Sequence, residues 1–327
     1  MMPETLKDKR VLISGGSGFI GSHLARRMVQ ERAVVHILAR QESTCWRIDN
    51  IKDSVSIHRA ELDDMEGLRA IVAAAKPEYV FHVAGNSRVR RLEGDLAQLD
   101  ESLDVNVRGT LNLLRALYIE NAKLRVFLRA AGLEEYGRGP VPYVETQREE
   151  PVSPYSASQV AITQYVQMLR DTLPFPVVSL RFALVYGPAQ SMDFMVPTLI
   201  EHCFRGEDFE MSSGEQTRDW IYVDDVVDAA LCAAVTPASY GEIINIGSGQ
   251  EIKVHDFARL VVDLAGAKIE LRLGRRCTRL SEIQRLWCSM EKTRKLLDWM
   301  PQTSPEEGLK KTIAWYREHS PKAAEEM

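Results

Sequence analysis

No stretch of the sequence approaches the ~20 consecutive apolar residues of a membrane-spanning helix, which excludes a chain threaded through a bilayer by helices. Cysteine is scarce. The 5 cysteines, Cys45, Cys203, Cys232, Cys277 and Cys288, are scattered, with no CxxC pair and no metal-ligand spacing. They read as free thiols of a protein in the reducing cytoplasm. The 7 histidines show no paired spacing either, so no metal is assigned. Positive charge is not in surplus: a net charge of -5 leaves no basic footprint for nucleic acid. Internal repeats and low-complexity linkers are absent. The opening "MMPETLKDKRVLISGG" passes straight from a polar leader into a strand pattern, unlike a secretory signal.

What is present is an ordinary globular composition, 45% hydrophobic and 27% charged over 327 residues, enough for one large domain or two smaller ones. Short apolar runs alternate with helical patterns through the first half. "RVLIS", "VVHIL", "YVFHVA", "RVFLRAA" and "PVVSLRFALVYG" read as strands. Between them "FIGSHLARRMVQE", "MEGLRAIVAAA" and "VNVRGTLNLLRALYIE" read as helices, as does the stretch 156–170, with Val160, Ile162, Tyr165, Val166 and Leu169 near a 3.6 period. This alternation predicts an α/β fold, a doubly wound and mostly parallel sheet. From about Gly187 the rhythm changes to turn-rich pieces and separate helices, with "EIINIGSG" as one more strand. A smaller C-terminal domain interwoven with the first is expected. The charged tail "HSPKAAEEM" reads as a frayed end.

In "VLISGGSGFIGSHL", Gly15, Gly18 and Gly21 follow the first strand at three-residue spacing. Glycines let the backbone turn tightly and approach a pyrophosphate, and the helix behind them offers free N–H groups and its positive dipole end. Placed between a strand and a helix, the motif predicts a dinucleotide site, with Phe19 and Ile20 at the helix start among its residues. The end of the second strand selects the cofactor. In "VVHILARQES" Ala39 and Arg40 stand where the acid that binds a ribose diol would sit, and an arginine there can pair with a 2'-phosphate. NADP(H) is therefore favoured, with NAD(H) as the alternative if Arg40 is only a solvated charge. Leu62, Ala84 and Gly85 fall where loops should touch the cofactor.

Taken in order, the glycine segment, "FHVAG", "DVNVRGTLNLL", "EYG", "SPYSAS", "RFALVYGP", "GEQTRDWIYVDDVVDA", "NIGSG" and "EEGLKKTIAWY" resemble the extended short-chain dehydrogenase/reductases that modify nucleotide sugars, from about residue 9 to 317. "VHILARQESTCWRI" is also similar to the corresponding segment of the GDP-mannose 4,6-dehydratases, which use NADP. The resemblance implies a Rossmann-type dinucleotide-binding domain of residues 1–186 with about 221–250. It implies a nucleotide-sugar-binding domain of 187–220 and 251–327, and hydride transfer at a sugar carbon, usually C4. It further implies that Tyr155 is the catalytic tyrosine, that Asn106 orders the active site, and that Glu134 lies near C5. Arg218 would grip the nucleotide diphosphate, Glu282 and Arg285 would hold the nucleotide end, and residues 194–200, Val196 among them, would bracket the base.

Four positions depart from that pattern. The usual serine or threonine is Gly132, the neighbouring dehydratase acid is Leu133, the lysine four residues after the tyrosine is Gln159, and the asparagine of "RFxNVYGP" is Leu184. A free tyrosine titrates near pH ~10, and the family lysine lowers this. Gln159 can hydrogen-bond a cofactor ribose but carries no charge, which makes Tyr155 a poorer base by about one to three units. Alcohol oxidation needs the phenolate; ketone reduction needs the phenol as acid. The change therefore favours reduction of a 4-keto-sugar. Losing the hydroxyl at 132 costs about 10²–10³ in rate unless another group replaces it. Arg129 either supplies a compensating charge or reaches solvent at its strand end. Glu134 remains as a base for a dehydratase or epimerase reaction, although dehydration lacks an acid at Leu133. The other reading is a catalytically weak protein that binds cofactor and sugar nucleotide. Finally, "DLAQLDESLDVNVRGTLNLLRAL" and "SASQVAITQYVQMLRD" are amphipathic beyond the needs of one sheet face, and in the family such helices pair as a four-helix bundle, so a homodimer is expected.

Overall fold

The computed structural model describes residues 6–86, 97–277 and 281–319. Strand β1 (Arg10–Ser14) turns into helix α1 (Phe19–Gln30), followed by β2 (Val34–Ala39), β3 (Val55–Arg59), α2 (Met65–Ala75) and β4 (Tyr79–His82). Helix α3 (Ala97–Ser102), a π-helical turn over Leu103–Arg108 and α4 (Gly109–Ile119) run on from one another. Next come β5 (Val126–Gly132), α5 (Pro154–Met168), β6 (Val177–Phe182), β7 (Leu184–Tyr186) and α6 (Met195–Arg205). The short strands β8 (Phe209–Glu210), β9 (Thr217–Arg218) and β10 (Trp220–Tyr222) precede α7 (Val223–Val235) and β11 (Ile243–Ile246). The described chain closes with β12 (Ile252–Lys253), α8 (Val254–Ala265), β13 (Leu271–Arg272), β14 (Arg285–Leu286), α9 (Glu291–Leu297) and α10 (Pro305–His319).

Seven strands form one parallel sheet in the order β11-β6-β5-β4-β1-β2-β3. Successive side chains of a strand point to opposite faces, and here both faces are apolar. Val11, Ile13, Tyr79, Phe81, Val126 and Leu128 pack on the side of α1 and α7. Leu12, Val80 and Phe127 pack on the other, with α2, α4 and α5. That is a Rossmann-type, doubly wound sheet with helices on both faces. The chain proceeds outward from β1 to β3 and then returns to β4 on β1's other side. This reversal opens a crevice at the carboxyl ends of β1 and β4, where such sheets bind ligands.

A second core is built from α6, α8 and α10 around Tyr186, Trp220 and Phe257, the last two stacked at 4.1 Å. Phe19 and Ile20, at the start of α1, pack against it as well, so the glycine turn lies where the two cores meet. Helix α5 begins at Pro154, earlier than its periodicity predicts. Ser153 caps it with a reciprocal Ser153–Ser156 pair and Pro154 occupies the first turn. Its Ile162 and Val166 are buried, but Tyr165 is 46% exposed. No helix among the described residues is long and apolar enough to cross a membrane.

Candidate active site

The glycine turn is shaped by close backbone approach. Gly15 has φ +72°, and a β-carbon there would stand 2.7 Å from the Ala84 nitrogen. A β-carbon at Gly21 would stand 2.1 Å from the Gly15 carbonyl oxygen, so the helix can pack this near the turn only without a side chain. Helix α1 starts after Gly18 with no side-chain cap and no acidic residue in its first turn. Its amide groups and dipole are thus left for an anion. A cavity of about 350 Å³ opens here, lined by Gly15, Gly18, Phe19, Ile20, Gly21, Ala84 and Gly85 and, at its far end, by Gly132, Glu134, Tyr155 and Gln159. An uncapped helix end beside bare glycine backbone fits the pyrophosphate of a dinucleotide.

Arg40 and Leu62 do not line this cavity. Arg40 follows β2 and is exposed. Its carbonyl accepts from Arg59 Nη1 at 3.0 Å, and the same nitrogen donates to the carbonyl oxygens of Gln41 at 2.8 Å and Ser43 at 3.0 Å. Arg59, at the end of β3, thereby braces the turn after β2, and Ser43 Oγ reaches Ser17 Oγ of the glycine turn at 2.9 Å. Leu62 packs on Gly109, and its carbonyl accepts from Asn112 at 3.0 Å.

Asn106 lies in the π-helical turn, and π turns occur often at functional sites. It is buried and spans two elements. Its Nδ2 donates to Ser158 Oγ on α5 at 2.9 Å and to the Asn86 carbonyl at 3.2 Å, while its Oδ1 accepts from the Asn86 amide at 2.9 Å. The loop after β4 is thus tied to the helix that carries Tyr155. Thr110 Oγ1 donates to the Asn106 carbonyl at 2.6 Å and meets His82 Nε2 at 2.8 Å, and His82 Nδ1 meets Ser14 Oγ at 2.6 Å. Burial, helped by Arg129, pushes His82 down to about 3, so it stays neutral.

The gap at Gly132 is filled. Glu134 Oε2 lies 2.3 Å from where a β-carbon at 132 would stand, and Tyr155 Oη lies 3.3 Å from the same point. Glu134 therefore carries its carboxyl back into the place of the absent hydroxyl, beside the tyrosine. Burial raises the Glu134 carboxyl above the usual carboxylate range; Glu135 adds to this and Arg218 opposes it. Burial also raises the Tyr155 phenol well above its ordinary value; Glu134 and Glu135 add to the rise and Arg129 opposes it. Leu133 turns into the core and is fully buried, so it offers nothing to the site.

Arg129 does not reach solvent at its strand end: it is 1% exposed. Its Nη1 donates to Gln159 Oε1 at 2.9 Å, its Nη2 to Glu135 Oε1 at 3.4 Å and to Thr163 Oγ1, and its Nε to Ser179 Oγ at 3.4 Å. Arg181 meets Glu135 Oε2 at 2.6 Å and Glu149 Oε1 at 2.6 Å, and stacks 4.4 Å from the Tyr136 ring centre. The pattern of β5 hides this cluster from view, because "RVFLRAA" reads simply as an apolar strand carrying Arg125 and Arg129.

A second cavity, of about 740 Å³, adjoins the first and shares Glu134, Leu184, Phe194, Met195 and Trp220 with it. Arg218 and Glu282 line it, and Val196 lines the first. Arg218 is fixed by Glu282 and by the carbonyls of Thr217 and Ile283, each at 2.7 Å. Arg285 is not brought to the site. Alternation along β14 sends Leu286 into the cavity wall and Arg285 outward, where its guanidinium pairs with Glu251 at 2.6 Å and 2.7 Å. Arg276, placed over Phe209 at 5.5 Å, lines this cavity instead. Nothing in "GRRCTR" distinguishes it in the sequence.

Residues 11–247 match the NAD dependent epimerase/dehydratase family. The chain belongs to that family. It is 30% identical over 321 residues to UDP-glucose 4-epimerase of Mycolicibacterium smegmatis, covering 95% of this chain and 99% of that one. It is 29% identical over 330 residues to dTDP-D-glucose 4,6-dehydratase of Homo sapiens, covering 95% and 91%. Among solved structures, UDP-glucose 4-epimerase of Thermotoga maritima, determined with UDP-glucose, superimposes with a TM-score of 0.86 at 27% identity, covering 94% of this chain and 99% of that one. Like its relatives, this epimerase/dehydratase-family chain is a nicotinamide-dependent enzyme of the short-chain dehydrogenase/reductase type.

Proposed function

We propose that this enzyme is an NADP(H)-dependent oxidoreductase acting at C4 of a nucleotide-activated sugar, favouring reduction of a 4-keto-sugar. The observation that carries the reading is the pairing of Glu134 and Tyr155 around the vacated side-chain position of Gly132. Both groups are pushed toward their protonated forms by burial. A carboxyl and a phenol that both hold their protons more tightly than usual, facing one point, favour proton donation, which suits a carbonyl oxygen becoming a hydroxyl. A bound nicotinamide dinucleotide would supply the hydride. Tyr155 hands its proton to the oxygen at C4 and is reprotonated from water. Glu134 donates a hydrogen bond to that oxygen, in the role a serine or threonine would have. Asn106 holds the loop of Gly85 and Asn86 in register with the helix of Tyr155.

The adjoining cavity takes the nucleotide-sugar, with Arg218 and Arg276 toward its phosphates and Phe194 and Met195 toward the base, while Val196 lines the first cavity beside them. Arg40, exposed after β2, would pair with the 2'-phosphate of the cofactor. Incubation with NADPH and a panel of nucleotide 4-keto-sugars tests the assignment. Loss of NADPH absorbance with one of them is expected, and no oxidation with any would defeat it.

Glu134 faces both cavities, and this favours a second reading, in which it removes the C5 proton in an epimerisation or dehydration. Solvent deuterium appearing at C5 of the product would mark that reaction. Full 4,6-dehydration is disfavoured, since Leu133 is buried in the core. The enzyme works as a homodimer in this proposal. Leu99, Leu103, Tyr118, Ile119, Tyr165 and Met168 are 39–62% exposed on α3, the π turn, α4 and α5, an apolar surface that a second copy would cover. Asp95 and Leu96, at the start of the predicted dimer segment, lie outside the described residues. Sedimentation at a monomer mass would remove this part. The five free thiols suit a reducing compartment such as the cytoplasm.

A further inference from the structure

The charge at the back of the site is carried by a strand. Arg129 on β5 and Arg181 on β6 are buried side by side with side chains 1% and 0% exposed. Glu135 lies between them and Glu149 bonds Arg181 from the far side. Two cations face two carboxylates, so the cluster is balanced, as a buried ionic group must be. One nitrogen of Arg129 leaves the cluster toward α5 and donates to Gln159 Oε1 at 2.9 Å. A guanidinium has no acceptor, so the oxygen end of the amide must meet it. That leaves the NH2 end of Gln159 for the cavity, which this residue lines.

We propose that Arg129 and Gln159 together replace the lysine expected at 159: the guanidinium places positive charge behind Tyr155, and the amide it orients offers its N–H groups to the nicotinamide ribose. This rests on reading the first cavity as the dinucleotide site. Arg129 is a positioning residue, acting through Gln159 and through its field. The groups around it are His82 from β4, Glu135 after β5, Ser179 and Arg181 from β6, and Tyr155 and Thr163 from α5. Among these, His82 is neutral and Arg129 is the cation that opposes the rise of the Tyr155 phenol. The family pattern places that cation on the helix. Here it stands on the neighbouring strand, with an uncharged side chain between it and the cavity.

The balance makes the two positions interchangeable as a pair and not singly. Gln159→Lys alone sets three cations against two carboxylates. Arg129→Ser alone leaves one cation against two and frees the amide to turn over. The double variant restores two against two, with the charge on the helix. The test is a double-mutant cycle on the full chain, reading the melting temperature without ligand and the NADPH dissociation constant by cofactor fluorescence. Each single variant should melt lower and bind NADPH ~10-fold or more weakly, and the double should return to within ~3-fold of the unaltered affinity. If Gln159→Lys does not fold, recovery of folding in the double counts as the same result. Three outcomes overturn the proposal: losses that add in the double, a double that does not fold, or melting temperatures that move while affinity stays constant, as a merely structural pair would give. An unaltered chain that binds neither NADPH nor NADH would instead overturn the reading of the cavity itself.

Discussion

Glu134 Oε2 occupies the position next to Gly132 that a side chain there would need, 2.3 Å from its β-carbon. The two residues are therefore mutually exclusive in their present form: glycine at 132 is what lets the carboxyl fold back beside Tyr155. Gly132→Ser should crowd Glu134 and lower turnover by ~10-fold or more, because two side chains then compete for one place and overpacking a buried site costs about 1–3 kcal/mol. The same substitution in a Glu134→Ala background should raise turnover, because a hydroxyl then enters an empty place. Steady-state kinetics of the four proteins decide it, and an identical effect in both backgrounds would show that the residues act apart.

Glu134→Gln keeps a donor at the site but removes the titration. The folded protein holds the Glu134 proton more tightly than the unfolded chain does. Its contribution to stability is thus complete below the unfolded carboxyl pKa of ~4.3 and is lost as pH rises through the raised folded value. At neutral pH, Glu134→Gln should melt above the unaltered protein, and the difference should shrink as pH falls toward ~4. Reductase turnover should largely survive it, whereas incorporation of solvent deuterium at C5 should vanish. Thermal scans across pH, with product analysis, check both.

Tyr155→Phe removes the proton donor and leaves the cavity's shape. Turnover on the ketone should drop by ~10²–10⁴ with little change in NADPH affinity, measured by fluorescence titration. Undiminished turnover would place the acid elsewhere.

Arg40→Ala should weaken NADPH binding by ~10-fold, the loss of about one charge-assisted hydrogen bond, while NADH binding stays constant. Equal affinities for the two cofactors in the unaltered enzyme would refute the 2'-phosphate assignment.

His82 is neutral and buried, held down to about 3. In the unfolded chain it takes up a proton near pH ~6.5. Between these values the unfolded state binds more protons, so stability should fall with decreasing pH by up to about 1.4 kcal/mol per unit. His82→Asn, which removes the titrating ring, should flatten that slope in denaturant titrations.

Long periodic segments could be read directly from the residues. Helices α1 and α2 begin and end close to where "FIGSHLARRMVQE" and "MEGLRAIVAAA" predict, because one apolar face meets the sheet. Strand β3 carries no such signal: it lies at the sheet edge with only Val55 and His58 half-buried, so its sequence lacks an apolar run. The two-residue strands β8, β9 and β12–β14 are set by tertiary pairing and have no local signature. In the site, Gly132 and Gln159 were visible as departures, but their compensation was not. It required knowing that Glu134 turns backward and that Arg129 points across to α5, which depends on which strands become neighbours. Arg285 shows the converse: motif position put it near the nucleotide, and the alternation of β14 turned it away.

The π turn at 103–108 has a consequence for the surface of the molecule. A π turn carries one more residue than a regular turn, and a regular helix advances about 100° per residue. Whatever follows Arg108 is therefore rotated relative to what precedes it. Leu99 before the turn and Leu103 at its first residue look outward, and Leu113, Leu114 and Leu117 look inward after it. Deleting one residue within this turn would bring the whole segment into a single phase. Its buried face could then be satisfied, or its outward one, but not both, and Asn106 would swing away from Ser158 in the same stroke.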